Sequence, residues 1–277
     1  MDPANKKQIK FLTYNVWCRG DVMLYKRMKA IGDLVVRHKP DVVFFQEVSQ
    51  DIRDIFESFA WWKEYCYCKT LAGHDVLRLS KLPWSTDTNF QTLFDGSPTY
   101  RVTADIKPSP EAGAPPIRVA TAQLERPNPP SSMHFRERYK QARHAIAELD
   151  RYDNVVFGGD MSWGDDSNMP FPLPTGWIDA WTVLRGRDYS DDLGWTYDAV
   201  WEVEATKFNG HVADYESMRK RSDRFVCKLK DYNLHSIRLI GDKRIGPQYK
   251  TKLADHTHVI HLPPSCHRRL VLTIVPK

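Results

Sequence analysis

The sequence predicts a single mixed α/β (α+β) domain in which many strands are flanked by helices. Short uninterrupted apolar runs at Val42–Phe45 and Asn154–Phe157 have the length and β-branching of strands buried on both faces. Segments with apolar residues at helical spacing lie between the strands. No internal repeat and no change in composition divides the 277 residues, so one hydrophobic core is expected.

The N-terminal elements are predicted from residue spacing and from the residues that end them. The β-rich run Ile9–Tyr14 predicts a first strand that ends at Asn15. Asp21 is a suitable N-cap, and apolar residues recur at helical spacing over Leu24–Val35, which predicts a helix. This helix should end before Pro40, because the residue preceding a proline is pushed out of the helical region.

The remaining elements follow in the same way. A short helix is expected from Ser49 to Phe59, and the apolar spacing in Phe135–Leu149 predicts a longer one. The proline-rich segments 107–116 and 127–132 indicate loops within the domain, since strands resume directly after them. The other predicted strands are Val76–Leu82, Tyr100–Ile106, Ile117–Leu124, Phe225–Lys228, Ser236–Ile240, His258–Leu262 and Leu270–Val275.

Composition excludes several classes of protein. A chain with 42% hydrophobic residues is not disordered, and no stretch approaches the roughly 18 apolar residues that cross a bilayer. The first eight residues lack the apolar segment of a secretory signal and are expected to be disordered or tag-like, with the domain at 9–277. Five cysteines without CxxC spacing favour reduced thiols, and a net charge of +5 identifies no partner.

Several common site signatures are missing from the sequence. There is no GxxxxGK phosphate loop, no GxGxxG, no HExxH and no GxSxG. A calcium loop starting at Asp160 fails because its twelfth position is Phe171 rather than glutamate. A zinc site at His256, His258 and His261 is disfavoured, since His261 would point to the opposite face of a strand.

Polar side chains stand at the ends of several predicted strands. Asn15, Glu47 and Asp160 each follow the carboxyl end of a strand, where open α/β sheets place their ligand crevices. Asp223 and the pair Asp255-His256 also lie at predicted strand ends. Each residue alone is more often a turn or cap residue, but together they form a candidate site.

The motifs around these residues resemble a known family. They read Thr-Tyr-Asn-Val-Trp at Asn15, Phe-Gln-Glu-Val at Glu47, Gly-Gly-Asp-Met-Ser-Trp at Asp160, Arg-Ser-Asp-Arg-Phe at Asp223 and Ala-Asp-His at His256. In this order and spacing they resemble the endonuclease/exonuclease/phosphatase superfamily of metal-dependent phosphodiesterases. The resemblance covers nearly the whole chain and implies a four-layer sandwich of two packed mixed β-sheets flanked by helices.

Three further segments narrow the resemblance. Phe171–Trp181, Gly194–Asp198 and Asp223–Tyr232 are similar to tyrosyl-DNA phosphodiesterases, particularly those of plants. The implied activity is magnesium-dependent hydrolysis of 5′-phosphotyrosyl bonds in DNA, with Mn²⁺ able to substitute. By this resemblance Glu47 is the central metal ligand and Asp255 a second contributor.

The resemblance also assigns catalytic roles. Asp160 would orient and deprotonate the attacking water, and His256 would stabilise the negative charge that develops on the phosphoryl oxygens. Asp223 would fix the tautomer and orientation of His256. Asn15 would contact the phosphate or a metal-bound water.

At three positions the chain departs from the family pattern. Ser162, assigned to catalysis, stands where asparagine is common, and Gln123 replaces the histidine of a Thr-x-His-Leu-Glu motif. Trp17 occupies a position that is acidic in animal members. Gln123, Trp17 and Trp163 are assigned to substrate binding: either tryptophan would stack on an exposed base at a 5′ end or pack beneath the site.

The expected partners are DNA with 5′-tyrosyl adducts, at single-stranded or frayed 5′ ends, and a topoisomerase-derived peptide. A monomer without membrane association is expected, in the nucleus and also in the cytoplasm. The basic groups that would contact DNA or form a solvated face are Lys26, Arg27 and Lys29, then Arg136, Arg138 and Lys140, then Arg219, Lys220 and Arg221.

Two alternatives to this activity stay open. The first is another nuclease or phosphatase of this family, acting on other nucleic-acid or lipid phosphoesters. The second is a catalytically weakened nucleic-acid-binding paralogue. The second alternative rests on the departures at Ser162, Gln123 and Trp17.

Overall fold

A computed structural model of the chain describes residues 8–67, 76–85, 89–92, 100–108, 114–128, 132–165, 168–186, 194–198, 219–240, 249–253, 256–260 and 263–277. Side chains are not described within 89–92, at Tyr100, within 249–253 or within 256–260.

The described strands, in chain order, are β1 (Ile9–Asn15), β2 (Val42–Gln46), β3 (Cys66–Tyr67), β4 (Val76–Ser80), β5 (Asn89–Thr92), β6 (Tyr100–Ile106), β7 (Ile117–Gln123), β8 (Asn154–Asp160), β9 (Trp177–Asp179), β10 (Tyr197–Asp198), β11 (Arg219–Lys220), β12 (Asp223–Leu229), β13 (Tyr232–Ile240), β14 (Tyr249–Leu253), β15 (His256–Ile260) and β16 (Arg269–Pro276). The described helices are α1 (Leu24–His38), α2 (Gln50–Glu57), α3 (Phe135–Leu149), α4 (Ala180–Arg185) and a 3₁₀ helix at Ala60–Glu64.

Two mixed six-stranded sheets form the centre of the fold. The first has the strand order β13-β16-β1-β2-β4-β3 and the second the order β5-β6-β7-β8-β12-β9. Each sheet contains one described parallel pair, β1 with β2 in the first and β7 with β8 in the second. The pairs β10–β11 and β14–β15 lie outside both sheets as two-stranded ladders.

The two sheets pack face to face over a buried apolar interior. Phe11 and Phe44 from the first sheet meet Val156 and Phe225 from the second, and the rings of Phe44 and Phe225 lie 6.3 Å apart. The predicted uninterrupted apolar runs are thus buried on both faces, because a helix layer covers the outside of each sheet.

The helix layers complete a four-layer sandwich. Apolar residues of α1 and α2, including Met28 and Phe56, pack on the outer face of β1 and β2. Those of α3, including Ala142 and Ile146, pack on the outer face of β7 and β8. The fold class predicted from the sequence is confirmed.

One local prediction is wrong. Helix α1 is preceded by Met23 at its N-cap, without a side-chain cap, whereas Asp21 forms an exposed ion pair with Arg19. The helix expected from Ser49 to Phe59 is present as α2, which Ser49 caps and which ends two residues early, and a separate 3₁₀ helix follows at Ala60–Glu64. None of the described helices is both long and apolar enough to pass through a bilayer.

Candidate active site

Strand directions bring six strand ends to one edge of the sandwich. The carboxyl ends of β1 and β2 lie side by side, as do those of β7 and β8, where Gln123 is paired with Asp160. Strand β12 is antiparallel to β8 and begins at Asp223, opposite Asp160. Strand β16 is antiparallel to β1, so the residues before Arg269 lie near the end of β1.

Asn15 connects the two acidic residues of this edge. Its Nδ2 atom donates to Oε1 of Glu47 at 2.7 Å and to Oδ2 of Asp160 at 2.9 Å. Its Oδ1 accepts from the backbone N–H of Trp17 at 2.9 Å, which identifies the amide orientation. Since one sheet carries Asn15 and the other Asp160, this amide joins the two halves of the site.

Glu47 is buried and ionised at neutral pH. Burial opposes ionisation, but the charge of Arg126 and the hydrogen bond from Asn15 outweigh it and hold the pKa of Glu47 below its usual value. Oε1 also accepts from Gln123 Nε2 at 3.0 Å and from Arg126 Nη1 at 2.6 Å, and Oε2 accepts from the Cys18 backbone at 3.1 Å.

Asp160 is held in a fixed orientation at the end of β8. Its Oδ1 accepts from the Ser162 backbone at 2.8 Å and from Ser222 Oγ at 2.6 Å. Burial opposes ionisation, but the charge of His267 and these hydrogen bonds keep the pKa of Asp160 below its usual value. Asp160 is therefore an oriented carboxylate that can accept a proton.

His267 faces Asp160 and is supported from behind by Asp223. Its Nδ1 lies 2.8 Å from Oδ2 of Asp223, and its Nε2 lies 3.9 Å from Oδ2 of Asp160. Burial alone would lower the pKa of His267, but the carboxylates of Asp223 and Asp160 outweigh it and raise the pKa to about 9. Burial raises the pKa of Asp223 to about 6, although His267 opposes the rise.

Three residues of the site have strained backbones. Trp17, Glu47 and Ser162 have positive φ angles of 59°, 60° and 48°, in the region that glycine favours. Each follows a strand that ends at this edge. Strain of this kind persists where the surrounding contacts fix it and is often found at functional sites.

A buried amide links the sheets beneath the site. Gln46 Nε2 donates to Thr13 Oγ1 at 3.2 Å within the first sheet and to Thr121 Oγ1 at 3.1 Å in the second. Gln46 directly precedes Glu47, so the bond to Thr121 ties the backbone of Glu47 to the opposite sheet.

A comparison of the sequence with protein families identifies the family of the chain. Residues 12–217 match the Endonuclease/Exonuclease/phosphatase family. The chain belongs to this family.

One curated relative has a similar sequence. The 5′-tyrosyl-DNA phosphodiesterase of Caenorhabditis briggsae is 24% identical over 213 residues, which are 73% of this chain and 57% of the relative. The chain thus spans little more than half the length of this curated relative.

Solved structures share the overall fold of the chain. TDP2 of D. rerio, complexed with single strand DNA product, matches with a TM-score of 0.72 at 18% identity, over 97% of this chain and 99% of that chain. Truncated TDP2 of Caenorhabditis elegans matches with a TM-score of 0.71 at 17% identity, over 97% of both chains. The catalytic domain of human Nocturnin, with bound sulfate, matches with a TM-score of 0.68 at 12% identity, over 98% of this chain and 95% of that chain.

The structure places at this edge a histidine that the sequence analysis did not select. Asp223, which was predicted to orient His256, is paired with His267. His256 begins β15, which pairs with β14 outside both sheets, whereas His267 precedes β16, which pairs with β1. The side chain of His256 and all of Asp255 lie outside the described residues.

Two tryptophans predicted to bind substrate are buried. Trp163 is 1% exposed, donates through Nε1 to the carbonyl of Met169 and packs against Phe171. Trp17 is 4% exposed and lies under the guanidinium of Arg27. In this structure both pack beneath the site, which is the second of the two expected roles.

Three of the basic residues predicted to contact DNA are buried. Arg27 donates to the carbonyls of Val16 and Trp17, and Arg138 donates to that of Glu125. Arg221 is ion-paired with Asp165 and Asp179. The exposed members of the first two basic groups are Lys26, Lys29, Arg136 and Lys140.

Several residues of the site were missed by the sequence reasoning. Ser265 precedes His267, donates from Oγ to the carbonyl of Asn15 at 2.7 Å and accepts from the His267 backbone at 3.1 Å. Ser222 contacts Asp160, and Arg126 contacts Glu47. The available signal was the polar Ser265-Cys266-His267 run directly before the last predicted strand.

The donor set suits a divalent cation. Carboxylate oxygens of Asp160 and Asp223 lie within 4.8 Å of one another and of a ring nitrogen of His267, and Asn15 connects Glu47 to this group; His267, as an imidazolium, is a neighbour of the metal site and not a ligand. Buried carboxylate oxygens are the ligands that Mg²⁺ prefers, and it binds through one or two of them while keeping several waters. The residues at this edge therefore fit the metal that the family resemblance implies.

Proposed function

We propose that the chain is a magnesium-dependent phosphodiesterase that hydrolyses 5′-phosphotyrosyl bonds in DNA, with Mn²⁺ able to replace Mg²⁺. The observation that carries the proposal is the pair of buried carboxylates, Glu47 and Asp160, bridged by Asn15 and faced by His267. The name of the C. briggsae relative supports the choice of substrate.

Glu47 would hold the metal, and Asp255 is proposed as a second contributor. The bound cation would neutralise charge on the phosphodiester and so reduce its repulsion of a nucleophile. Gln123 would then add an amide N–H donor at the same edge, since its Nε2 already reaches Glu47 and Asp160.

Asp160 would orient the attacking water and accept its proton. Its pKa lies below the usual value, so the group is ionised near neutral pH. The Ser162 backbone and Ser222 hydroxyl bind Oδ1, which leaves Oδ2 toward Asn15, Gln123 and His267. Ser162 thus acts here through its backbone N–H.

His267 would stabilise the negative charge that develops on the phosphoryl oxygens. With Nδ1 bound to Asp223 and a pKa of about 9, the ring carries a proton on Nε2 at neutral pH. A fixed, buried donor of this kind stabilises a transition state more than water does, because it needs no reorientation. Asp223 would be the residue that positions this ring.

The reaction does not need a strong general acid to protonate the leaving group. Water forms a new P–O bond, the P–O bond to tyrosine breaks, and the phenolate departs while DNA keeps a 5′-phosphate. A phenol has a reference pKa near 10, so its anion leaves far more easily than an alkoxide.

The wider role follows from the substrate. We propose that the enzyme acts on trapped topoisomerase adducts in double-strand break repair, in the nucleus and also in the cytoplasm. Single-stranded or frayed 5′ ends and a topoisomerase-derived peptide would be bound by a monomer. The relative that was crystallised with single strand DNA product supports a single-stranded DNA end as the bound form.

The test is a comparison of substrates with and without Mg²⁺. A 5′-phosphotyrosyl oligonucleotide, abasic DNA and a polyadenylate strand would be incubated with the protein, and the products resolved on a gel. Release of tyrosine only with Mg²⁺, lost in Glu47→Gln and Asp160→Asn, supports the proposal. Cleavage of only the other two substrates would assign a different nuclease, and tight DNA binding without any turnover would assign a binding paralogue.

A further inference from the structure

Oε1 of Glu47 is crowded with donors. Asn15 at 2.7 Å, Gln123 at 3.0 Å and Arg126 at 2.6 Å all donate to this single oxygen. A carboxylate oxygen offers about two lone-pair positions, so three donors leave no free direction for a cation. A metal that binds Oε1 must therefore displace one of them.

The three donors differ in how firmly they are held. Asn15 is buried, and its amide is also bound to Asp160 and to the Trp17 backbone. Gln123 ends β7 and shares its Nε2 with Asp160. The side chain of Arg126 is 57% exposed and lies beyond the end of β7, at the mouth of the site.

The positive charge of Arg126 also opposes metal binding. The guanidinium already neutralises part of the negative charge of Glu47, so a metal cation gains less from binding the same carboxylate. The guanidinium and the metal therefore compete for the charge of one carboxylate, whether the metal binds Oε1 or Oε2, and a group that binds only the metal-free form lowers the apparent affinity for metal.

We propose that Arg126 is a built-in competitor of the divalent metal at Glu47, which sets the metal concentration at which the site becomes active. The inference deepens the proposed function and rests on it. Without the metal Arg126 stabilises the buried carboxylate, and a bound metal would replace its hydrogen bond to Oε1. Arg126 would thus lower the metal affinity of Glu47 without being a ligand.

The experiment measures metal binding without turnover. Free Mn²⁺ would be followed by its paramagnetic resonance signal during titration of the full chain at constant pH and ionic strength. Arg126→Gln is expected to bind Mn²⁺ up to about fivefold more tightly than the wild type, the upper end of the range for a partly exposed ion pair. Arg126→Lys, which keeps the charge, should lie closer to the wild type.

The matched control is Arg19→Gln. Arg19 adjoins Cys18, whose backbone contacts Glu47, but its own guanidinium pairs with the exposed Asp21. The variant removes the same charge near the site without freeing Glu47, so its Mn²⁺ affinity should stay within about twofold of the wild type. An equal gain in both variants, or no gain in Arg126→Gln, overturns the inference.

The same titration distinguishes a failure of the proposed metal site from a failure of the role proposed for Arg126. If neither the wild type nor Arg126→Gln takes up Mn²⁺, and Glu47→Gln changes nothing, then the metal site itself is wrong and both proposals fall. If the wild type binds Mn²⁺ and loses it in Glu47→Gln, while Arg126→Gln binds equally, only the competitor role is overturned.

Discussion

Nδ1 of His267 lies 2.8 Å from Oδ2 of Asp223, a contact made between the beginnings of two strands in different sheets. The pair fixes which ring nitrogen faces Asp160. It also holds the ring of His267 between Asp223 and Asp160.

His267→Gln is expected to lower kcat/KM on a 5′-phosphotyrosyl oligonucleotide by about 10²- to 10³-fold, the usual effect of losing a charge-stabilising donor. His256→Gln should stay within about threefold of the wild type, and so should His235→Gln, an exposed position on β13. Initial rates measured under identical metal concentrations check this. A large loss of kcat/KM in His256→Gln with little change in His267→Gln would show that His256, as predicted from the sequence, is the catalytic histidine.

Asp223→Asn should lower the pKa of His267 from about 9 toward or below the reference value, because the removed carboxylate favours the imidazolium while burial disfavours it. Proton NMR titration of the metal-free protein would follow the ring signals of His267, assigned with His267→Gln. An unchanged midpoint would show that Asp223 does not set this ionisation.

Asp179→Asn should destabilise the fold by about 3 kcal/mol, as expected when a buried ion pair loses one partner. Asp179 pairs with Arg221 at 2.8 Å and with Arg224 at 2.9 Å, and it caps α4 through Trp181 N–H. Asparagine can also cap a helix, so the stability lost in Asp179→Asn reflects the missing negative charge and not a missing cap. Urea unfolding measures this difference in the free energy of unfolding.

The matched control for this loss is Asp153→Asn. Asp153 pairs with Lys230 at 2.9 Å, but both side chains are about two-thirds exposed, so little change is expected. Equal effects in the two variants would contradict the importance of burial.

The stabilisation that Asp179 provides should depend on pH. Burial alone would raise the pKa of Asp179, but Arg224 and Arg221 outweigh it and hold the pKa below the ordinary value of 3.8. The stabilisation is therefore complete above pH 3.8 and is lost as pH falls through the lower folded-state pKa. The difference in unfolding free energy between wild type and Asp179→Asn should shrink in acid, and a constant difference down to pH 2 would contradict this.

Gly159→Ala should destabilise the protein by about 1–3 kcal/mol and reduce activity, because a methyl group there would overlap the backbone carbonyl of Ala122 in the neighbouring strand. Asp160 follows directly, so the shift would displace it. Gly20→Ala is the control, since nothing lies within 4 Å of the added carbon. Thermal unfolding and turnover of both variants, measured together, decide the point.

Much of the fold could be predicted from local patterns. The runs Val42–Phe45 and Asn154–Phe157 are apolar at every position or nearly so, which indicates burial on both faces without knowledge of neighbours. Asn15, Glu47 and Asp160 could be predicted because each follows such a strand. Their meeting depends on the parallel pairs β1–β2 and β7–β8, which deliver carboxyl ends to one edge.

Other parts depend on contacts that no local pattern reveals. His267 enters the site through the antiparallel pairing of β16 with β1, and His256 has an equally suggestive sequence but a different strand partner. Arg27, Arg138 and Arg221 look like surface charges in sequence, yet backbone carbonyls or carboxylates bind them in the interior. Burial of a long charged side chain is decided by tertiary partners rather than by spacing.

The division of the site between two sheets gives the hydrophobic interior an influence on chemistry. Glu47 stands on one sheet and Asp160 on the other, and the contacts Phe44–Phe225 and Gln46–Thr121 help to set the gap between those sheets. A substitution such as Phe225→Leu, in the interior between the sheets, would change the thickness of the sandwich and thus the distance between the two carboxylates. Turnover should consequently respond to core packing, in addition to the loss of stability that a melting curve records.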